Sequence, residues 1–241
     1  MKYNNYHDFQ NYSQISIEEL REKSKKNMKK GYCPVVTKTT KRGVIATTWW
    51  GNSWCNNLER YADYSSRIGR GKRYVKNGAV IDLKIEEGLI KAKVQGSRSK
   101  PYKVEIQIDP LSEKSKKNIY KIAESSIDTL ESLVYGEFPQ ELASIFTDKE
   151  IGLFPNPDEI HITCDCPDWA YLCKHAASAL YGVGIRLDED PLMFFLLRSF
   201  DFNVLLQKSI NEKKELMIKN LGTKGERTIP KSKAKKLFGI L

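Results

Sequence analysis

"VIDLKIEEGLIKAKVQGSRSKPYKVEIQI", residues 80–108, is the stretch on which the fold class turns. Leu83 and Ile85 share a face; Ile90, Ala92 and Val94 alternate with Lys91, Lys93 and Gln95; Val104, Ile106 and Ile108 alternate with Lys103, Glu105 and Gln107. A period of two marks strands with one buried face. Glu87-Gly88 suits a tight hairpin turn, because glycine adopts positive φ without steric cost, and Asn77-Gly78 suits another. With Arg73 to Lys76 read as a short first strand, the segment predicts a four-stranded antiparallel meander, apolar on one side and wet on the other.

On the amino-terminal side the period changes. In "TTWWGNSWCNNLERYADY" Thr47 or Thr48 can cap a helix whose Trp50, Trp54, Leu58 and Tyr61 recur at three- and four-residue spacing. Gly51 weakens that helix locally, and Cys55 reads as a lone small residue with no chemical task. An aromatic stripe of this kind is core rather than a base-stacking surface. Further back, residues 21–42 hold nine Lys or Arg against one Glu and show no apolar helical stripe, the pattern of a flexible basic arm. On the carboxyl-terminal side, Ile119, Ile122, Ala123, Ile127, Leu130, Leu133 and Val134 form a helical stripe after a Ser112 cap, "FPQELASIF" adds a short helix, and the prolines of "LFPNPDE" end the pattern. The expected organisation is a mostly flexible basic arm over 1–46, an α+β domain over 47–157, a small strand-turn-helix unit with its following helices over 158–207, and a basic tail over 208–241.

That small unit contains "CDCPDWAYLCKH", residues 164–175, with three of the five cysteines and one of the three histidines of the chain. "EIHIT" reads as a strand running into Cys164, and "HAASALYGVGIRL" as a helix. Zinc with Zn–S bonds of about 2.3 Å sets its sulfurs roughly 3.8 Å apart. Residues two apart in a strand lie about 6.6 Å from each other, so Cys164 and Cys166 converge only where the chain curls, at Pro167. Cys173 and His175 would diverge by about 200° on one helix; both point inward only if Cys173 precedes the helix and His175 stands in its first turn. A Cys3His set leaves no open position, so the zinc would be structural, and the second nitrogen of His175 is expected to donate to a carbonyl or carboxylate, Asp165 or Asp168 being candidates. His161 is the competing ligand and reads better as a surface residue. A thiol redox pair usually shows two cysteines separated by two residues at a helix start, nucleophilic catalysis would need a base and an orienting group, and an odd cysteine count cannot pair fully in disulfides.

The cysteine and histidine pattern, followed by an alanine-rich helix, resembles the SWIM zinc finger. "TTWWGNSW", "GRGKRYVKNGAV", "VQGSRSKPYKVEI" and "YGVGIRLDEDPLMFFLLRSFD" are similar to segments of prokaryotic proteins built around such a finger, a likeness covering about residues 45–205. The resemblance puts one zinc on Cys164, Cys166, Cys173 and His175. It implies a DNA-binding or protein-interaction role, in proteins of which some are linked to Swi/Snf-type helicases and others to recombination mediators, and it implies no enzymatic activity.

Charge supplies the second line of inference. The formal net charge is +10, which favours a polyanionic partner, nucleic acid before a membrane surface. No acid falls between Asp63 and Asp82, whereas Arg67, Arg70, Lys72, Arg73 and Lys76 do; Arg98 and Lys100 belong to a second cluster between Glu87 and Glu105. If the "RIGRGKR" and "QGSRSKPY" loops lie side by side, the clusters merge into one phosphate-binding surface. Beyond the finger, Asp190-Pro191 should open a helix burying Leu192, Phe195, Leu196 and Phe200, and a further helix from about Asp201 carries Val204, Leu205 and Ile210. From Lys208 onward ten Lys or Arg oppose three Glu, a basic tail whose "LFGIL" end suits docking to a protein. The polar start and the absence of a long apolar run predict an intracellular protein, cytoplasmic or nucleoid-associated, without a membrane partner. The expected protein is thus a zinc-stabilised, non-enzymatic α+β protein binding DNA or RNA as an accessory to a helicase or recombination machine. The alternative is a protein–protein adaptor using the finger and tail.

Overall fold

The computed structural model describes residues 15–41, 43–59, 65–125, 147–148 and 152–221. In chain order these form α1 (Ile17–Asn27), α2 (Trp49–Glu59), α3 (Ser65–Lys76), β1 (Val80–Glu86), β2 (Leu89–Val94), β3 (Tyr102–Ile108), α4 (Glu113–Ser125), β4 (Ile160–Cys164), α5 (Lys174–Glu189), α6 (Met193–Leu197) and α7 (Phe202–Asn220). The class is α+β, with one four-stranded antiparallel sheet of order β1-β2-β3-β4. Among the described residues no helix is long and apolar enough to cross a membrane.

The alternation in residues 89–108 builds strands β2 and β3 as expected. Ile85 faces Ile90, Ile90 faces Ile106, and Ile106 faces Ile162, so one row of isoleucines crosses the sheet. Along β3, Tyr102, Val104, Ile106 and Ile108 are buried while Lys103, Glu105 and Gln107 are exposed. Gly88 adopts φ +62° at the β1–β2 turn.

The first strand is not Arg73–Lys76, which lies in α3; the sheet instead takes its fourth member, β4, from the cysteine-rich segment. Asn77-Gly78 stops a helix rather than turning a hairpin: Gly78 has φ +69°, and the N–H groups of Asn77 and Gly78 bond back to the carbonyls of Tyr74 and Val75. A helix C-terminus and a hairpin both call for positive φ, so the dipeptide alone does not separate them. Because β4 pairs along β3, the boundary expected at 157/158 runs between strands of one sheet.

Helix α5 is the centre of the fold. Ala176, Ala179, Tyr181, Val183 and Leu187 are wholly enclosed, as befits a helix that is apolar on nearly every side. Small residues let its neighbours approach. A Cβ on Gly51 of α2 would lie 2.7 Å from the Gly184 carbonyl, and one on Gly71 of α3 would lie 2.7 Å from the Ala177 methyl. Trp54 and Trp50 then donate their indole N–H groups to the carbonyls of Leu180 and Leu187. Asp188 accepts from the backbone N–H and hydroxyl of both Thr47 and Thr48, and Thr48 caps Gly51. Trp54 is core, and Cys55 beside it is buried, its thiol pushed up to about 12 by burial and by the charges of Glu59 and Asp188. Such a thiol is inert. Tyr61 lies outside the described residues.

The amino-terminal arm is ordered where it is described. Ser16 caps α1, Leu20 is fully buried, and the chain after it runs along β1, with Val35 N–H donating to Val80 and Leu83 N–H to Cys33. Sequence reading missed this helix because its inward stripe is Ile17, Leu20, Ser24 and Asn27. Two of those four are polar and find specific partners, the Leu20 carbonyl for Ser24 and the Gln95 and Ser99 oxygens for Asn27.

Ser112 caps α4 as expected, but the rest of the predicted 112–135 stripe and "FPQELASIF" lie mostly outside the described residues. Asp190 accepts from Leu192 N–H at a turn, and α6 begins only at Met193. Phe195 and Phe200 are buried as expected, whereas Leu196 is exposed and Leu192 only half-buried. Asp201 caps α7 through Asn203 N–H; Leu205 is buried, Val204 and Ile210 are exposed, and the helix continues to Asn220, past the expected start of the tail. Residues 222–241, with "LFGIL", lie outside the described residues.

Candidate metal centre

β3 delivers the first ligand residue by holding β4 in register, with Val104 opposite Cys164. The chain then bends at 165–167, as the Cys-x-Cys spacing required. Asp165 fixes that bend through two bonds to Lys103, its N–H donating to the Lys103 carbonyl (3.2 Å) and its carboxylate accepting from the Lys103 N–H (2.9 Å). Cys173 is the extended N-cap of α5, and its sulfur accepts from the Ala176 N–H at 3.4 Å. His175 stands one step into the helix. Cys164, Cys166, Cys173 and His175 thereby bring one donor atom each to within 4.8 Å of one another. That spread is within about 1 Å of the sulfur separation around tetrahedral zinc.

The electrostatics fit a dication. The thiols of Cys164 and Cys173 donate toward Cys166, and the Asp168 N–H adds to them, so the Cys166 thiol is held far below its ordinary value. Those same contacts, first with Cys166 and then with Cys173, together with burial push Cys164 far above it. For Cys173 the contact with Cys164 pulls down, but the contact with Cys166 and burial outweigh it and the thiol is raised. One thiolate forms readily, and further ones need a positive charge among them. His175 is held below its usual value, mainly by burial, although Cys166 opposes this, so its imidazole is neutral near pH 7. Thiolate and neutral imidazole are the forms that zinc binds.

The histidine ring is held by aromatic packing. Tyr102 stacks on it at 3.9 Å, Tyr74 meets it edge-on at 5.7 Å, and the Arg98 guanidinium covers the far face of Tyr102 at 4.0 Å. Nδ1 faces Cys164 at 4.0 Å, while Nε2 is buried against Gly96 and has no hydrogen-bond partner among the described residues. The expectation that Asp165 or Asp168 would receive a proton from this ring is therefore corrected: both carboxylates are taken by arginines. Arg98 pairs with Asp165 at 2.6 Å, and Arg67 pairs with Asp168 at 2.9 Å. His161 lies outside the donor cluster, 3.0 Å from Asp109.

The basic residues chosen from sequence are mostly engaged within the fold. Besides Arg67 and Arg98, Lys72 pairs with Glu59 at 2.6 Å and Arg73 donates to the Ile15 carbonyl. Among the described residues neither Arg70 nor Lys100 has a carboxylate partner; Lys100 is exposed and Arg70 half-buried. The "RIGRGKR" segment is helix, not loop; through Arg67 and Arg98 the two clusters each grip a different aspartate of the knuckle. The loop over 95–101 meets a different basic element. Lys23 Nζ donates to the Ser97 carbonyl, and Asn27 donates to Gln95 and Ser99, bringing the end of α1 against it. Exposed Lys25, Lys26, Lys29 and Lys30 follow there. Tyr74, Gly96 and Tyr102 went unnoticed in the sequence. Tyr102 shares a face with Val104 by strand alternation, but only the pairing of β3 with β4 puts that face beside Cys164.

A strand end and a helix start fastened by a closed Cys3His set define a structural zinc finger. The SWIM zinc finger family model matches residues 148–182, which include all four donors, so the finger of this chain is a SWIM zinc finger holding one zinc. Over 166 residues the chain is 33% identical to the uncharacterized protein Rv2102 of Mycobacterium tuberculosis (strain ATCC 25618 / H37Rv). That alignment takes in 68% of this chain and spans 60% of the relative's length. No solved structure matches the chain.

Proposed function

We propose that the protein binds nucleic acid, DNA foremost, through phosphate contacts, and that it works without catalysis as a cytoplasmic accessory to a helicase or recombination machine. The observation that carries this reading is the seating of α1 on the loop over 95–101. It brings the end of α1, with exposed Lys25, Lys26, Lys29 and Lys30, against the loop that carries exposed Lys100, in a chain of net charge +10. Clustered cations with exposed head groups are what phosphate binding needs. The closed ligand set supports a structural zinc, since it leaves no position for substrate. Binding to single- and double-stranded DNA across a salt series tests the proposal: log K should fall steeply and linearly with log salt and vary little with sequence. Affinity that ignores salt refutes it.

One observation favours a second reading, a protein adaptor. Ile210 and Met217 lie on one side of α7, and both are exposed. Capture of the same protein partner after nuclease digestion would support the adaptor; its loss would support the nucleic-acid reading.

A further inference from the structure

The knuckle from Asp165 to Leu172 is fixed more firmly than a zinc alone requires. Arg98 and Arg67 hold its two aspartates, Ala170 N–H donates to Asp168, and the Tyr171 hydroxyl donates to the Ile160 carbonyl. Burial then alternates: Trp169 is 68% exposed, Ala170 buried, Tyr171 49% exposed and Leu172 buried. Of the other tryptophans, Trp54 is buried and Trp49 and Trp50 half-buried. Enclosing an aromatic ring of this size is favourable, so a rigid loop that turns its indole outward forgoes that gain. The occupant follows from charge. Both acids of the knuckle are neutralised by arginine, Lys100 stands beside Arg98 in the neighbouring loop, and Lys174 follows Cys173. An exposed aromatic face on a loop whose acids are both paired does not repel phosphates and suits a base, and it suits an unpaired base, because a duplex hides its faces.

We infer that Trp169, flanked by Tyr171, is a stacking platform for unpaired bases, so that the finger contacts single-stranded nucleic acid. This rests on the nucleic-acid reading above and gives it a strand preference and a residue. Stacking a base on an aromatic side chain changes affinity by about 5- to 100-fold on removal of the ring.

The test compares wild type, Trp169→Leu and Trp169→Phe, each first shown to hold one equivalent of zinc, on an oligothymidine strand and on a duplex at several salt concentrations. Leucine keeps apolar bulk without a π face; phenylalanine keeps the face. Trp169→Leu should bind the single strand about tenfold more weakly, with an unchanged salt slope and little change on duplex, and Trp169→Phe should stay within about threefold of wild type. Wild-type affinity in Trp169→Leu, or equal losses on both substrates, overturns the inference while leaving phosphate binding intact. A wild-type protein that binds neither substrate instead overturns the reading beneath it. If Trp169→Leu fails to hold zinc, loss of indole fluorescence on binding, seen in wild type and absent in Trp169→Phe, supplies the decision.

Discussion

Replacing Gly96 with alanine should damage zinc binding although residue 96 is no ligand. A Cβ there would lie 2.6 Å from Tyr102 Cε2 and 2.9 Å from His175 Nε2, short of ordinary van der Waals contact by about 0.8 Å and 0.5 Å. Neither ring has room to retreat. Tyr102 is sandwiched between the Arg98 guanidinium at 4.0 Å and the imidazole at 3.9 Å, and Tyr74 closes another side of His175. Overpacking of this kind costs about 1–3 kcal/mol. Displacing the support of a metal ligand typically lowers affinity about 10- to 100-fold. Competition against a chromophoric zinc chelator should show a loss in that range, with a lower melting temperature for the zinc-bound protein. Gly69→Ala is the control, because a Cβ at Gly69 in α3 meets nothing within 4 Å and alanine is the better helix former by roughly 1 kcal/mol. It should bind zinc normally and melt no lower than wild type. Wild-type zinc affinity in Gly96→Ala would refute the account of how His175 is held.

Asp188→Ala removes the acceptor for the Thr47 and Thr48 groups at the start of α2; a loss of about 2 kcal/mol in denaturant unfolding is expected, with zinc affinity unchanged. Zinc affinity should fall on acidification. With Cys166 shifted down and Cys164 and Cys173 shifted up, the metal-free site carries about one thiolate near neutral pH, so binding releases about two protons and apparent log K changes by up to about two per pH unit. His175, neutral in the fold because its value is lowered, adds stability that is complete above the ordinary histidine range and lost as pH falls through its own; calorimetric proton release in two buffers checks the count. Chelating the zinc should raise hydrogen exchange in residues 165–172 while β3 and α5 stay protected, and collapse of protection throughout the sheet would contradict this.

What the sequence displays and what it hides divide by range. Alternation in β2 and β3, the caps at Thr48 and Ser112, and the ligand geometry around Cys173 and His175 are local, and local chemistry specified them. The pairing of β3 with β4 is not local, since Ile108 meets Ile160 across a long intervening segment; nothing in either strand names its partner, and the finger therefore read as a separate unit. α3 was hidden for another reason. Gly69 and Gly71 lower helix propensity, yet the bare Cα of Gly71 is what lets α3 close on Ala177, so tertiary contact reverses the local signal. α1 was hidden because polar side chains occupy half of its inward stripe, and hydropathy does not register a buried serine or asparagine that has a partner.

The same long-range pairing changes what the zinc does. A finger standing alone folds only when metal pulls its ends together, but here the ends are already placed. Cys164 terminates a strand bonded along β3, and Cys173 and His175 begin a helix enclosed by the sheet, α2 and α3. The metal thus closes only the short knuckle from Asp165 to Leu172, and closing so short a loop costs little entropy. Loss of zinc should therefore show first in the shape of the knuckle, while the sheet and α5 keep their own contacts. Arg98 ties that knuckle through Asp165 to the loop that α1 holds at Ser97 and Ser99, so the shape zinc gives the knuckle is passed on to that loop and to the end of α1.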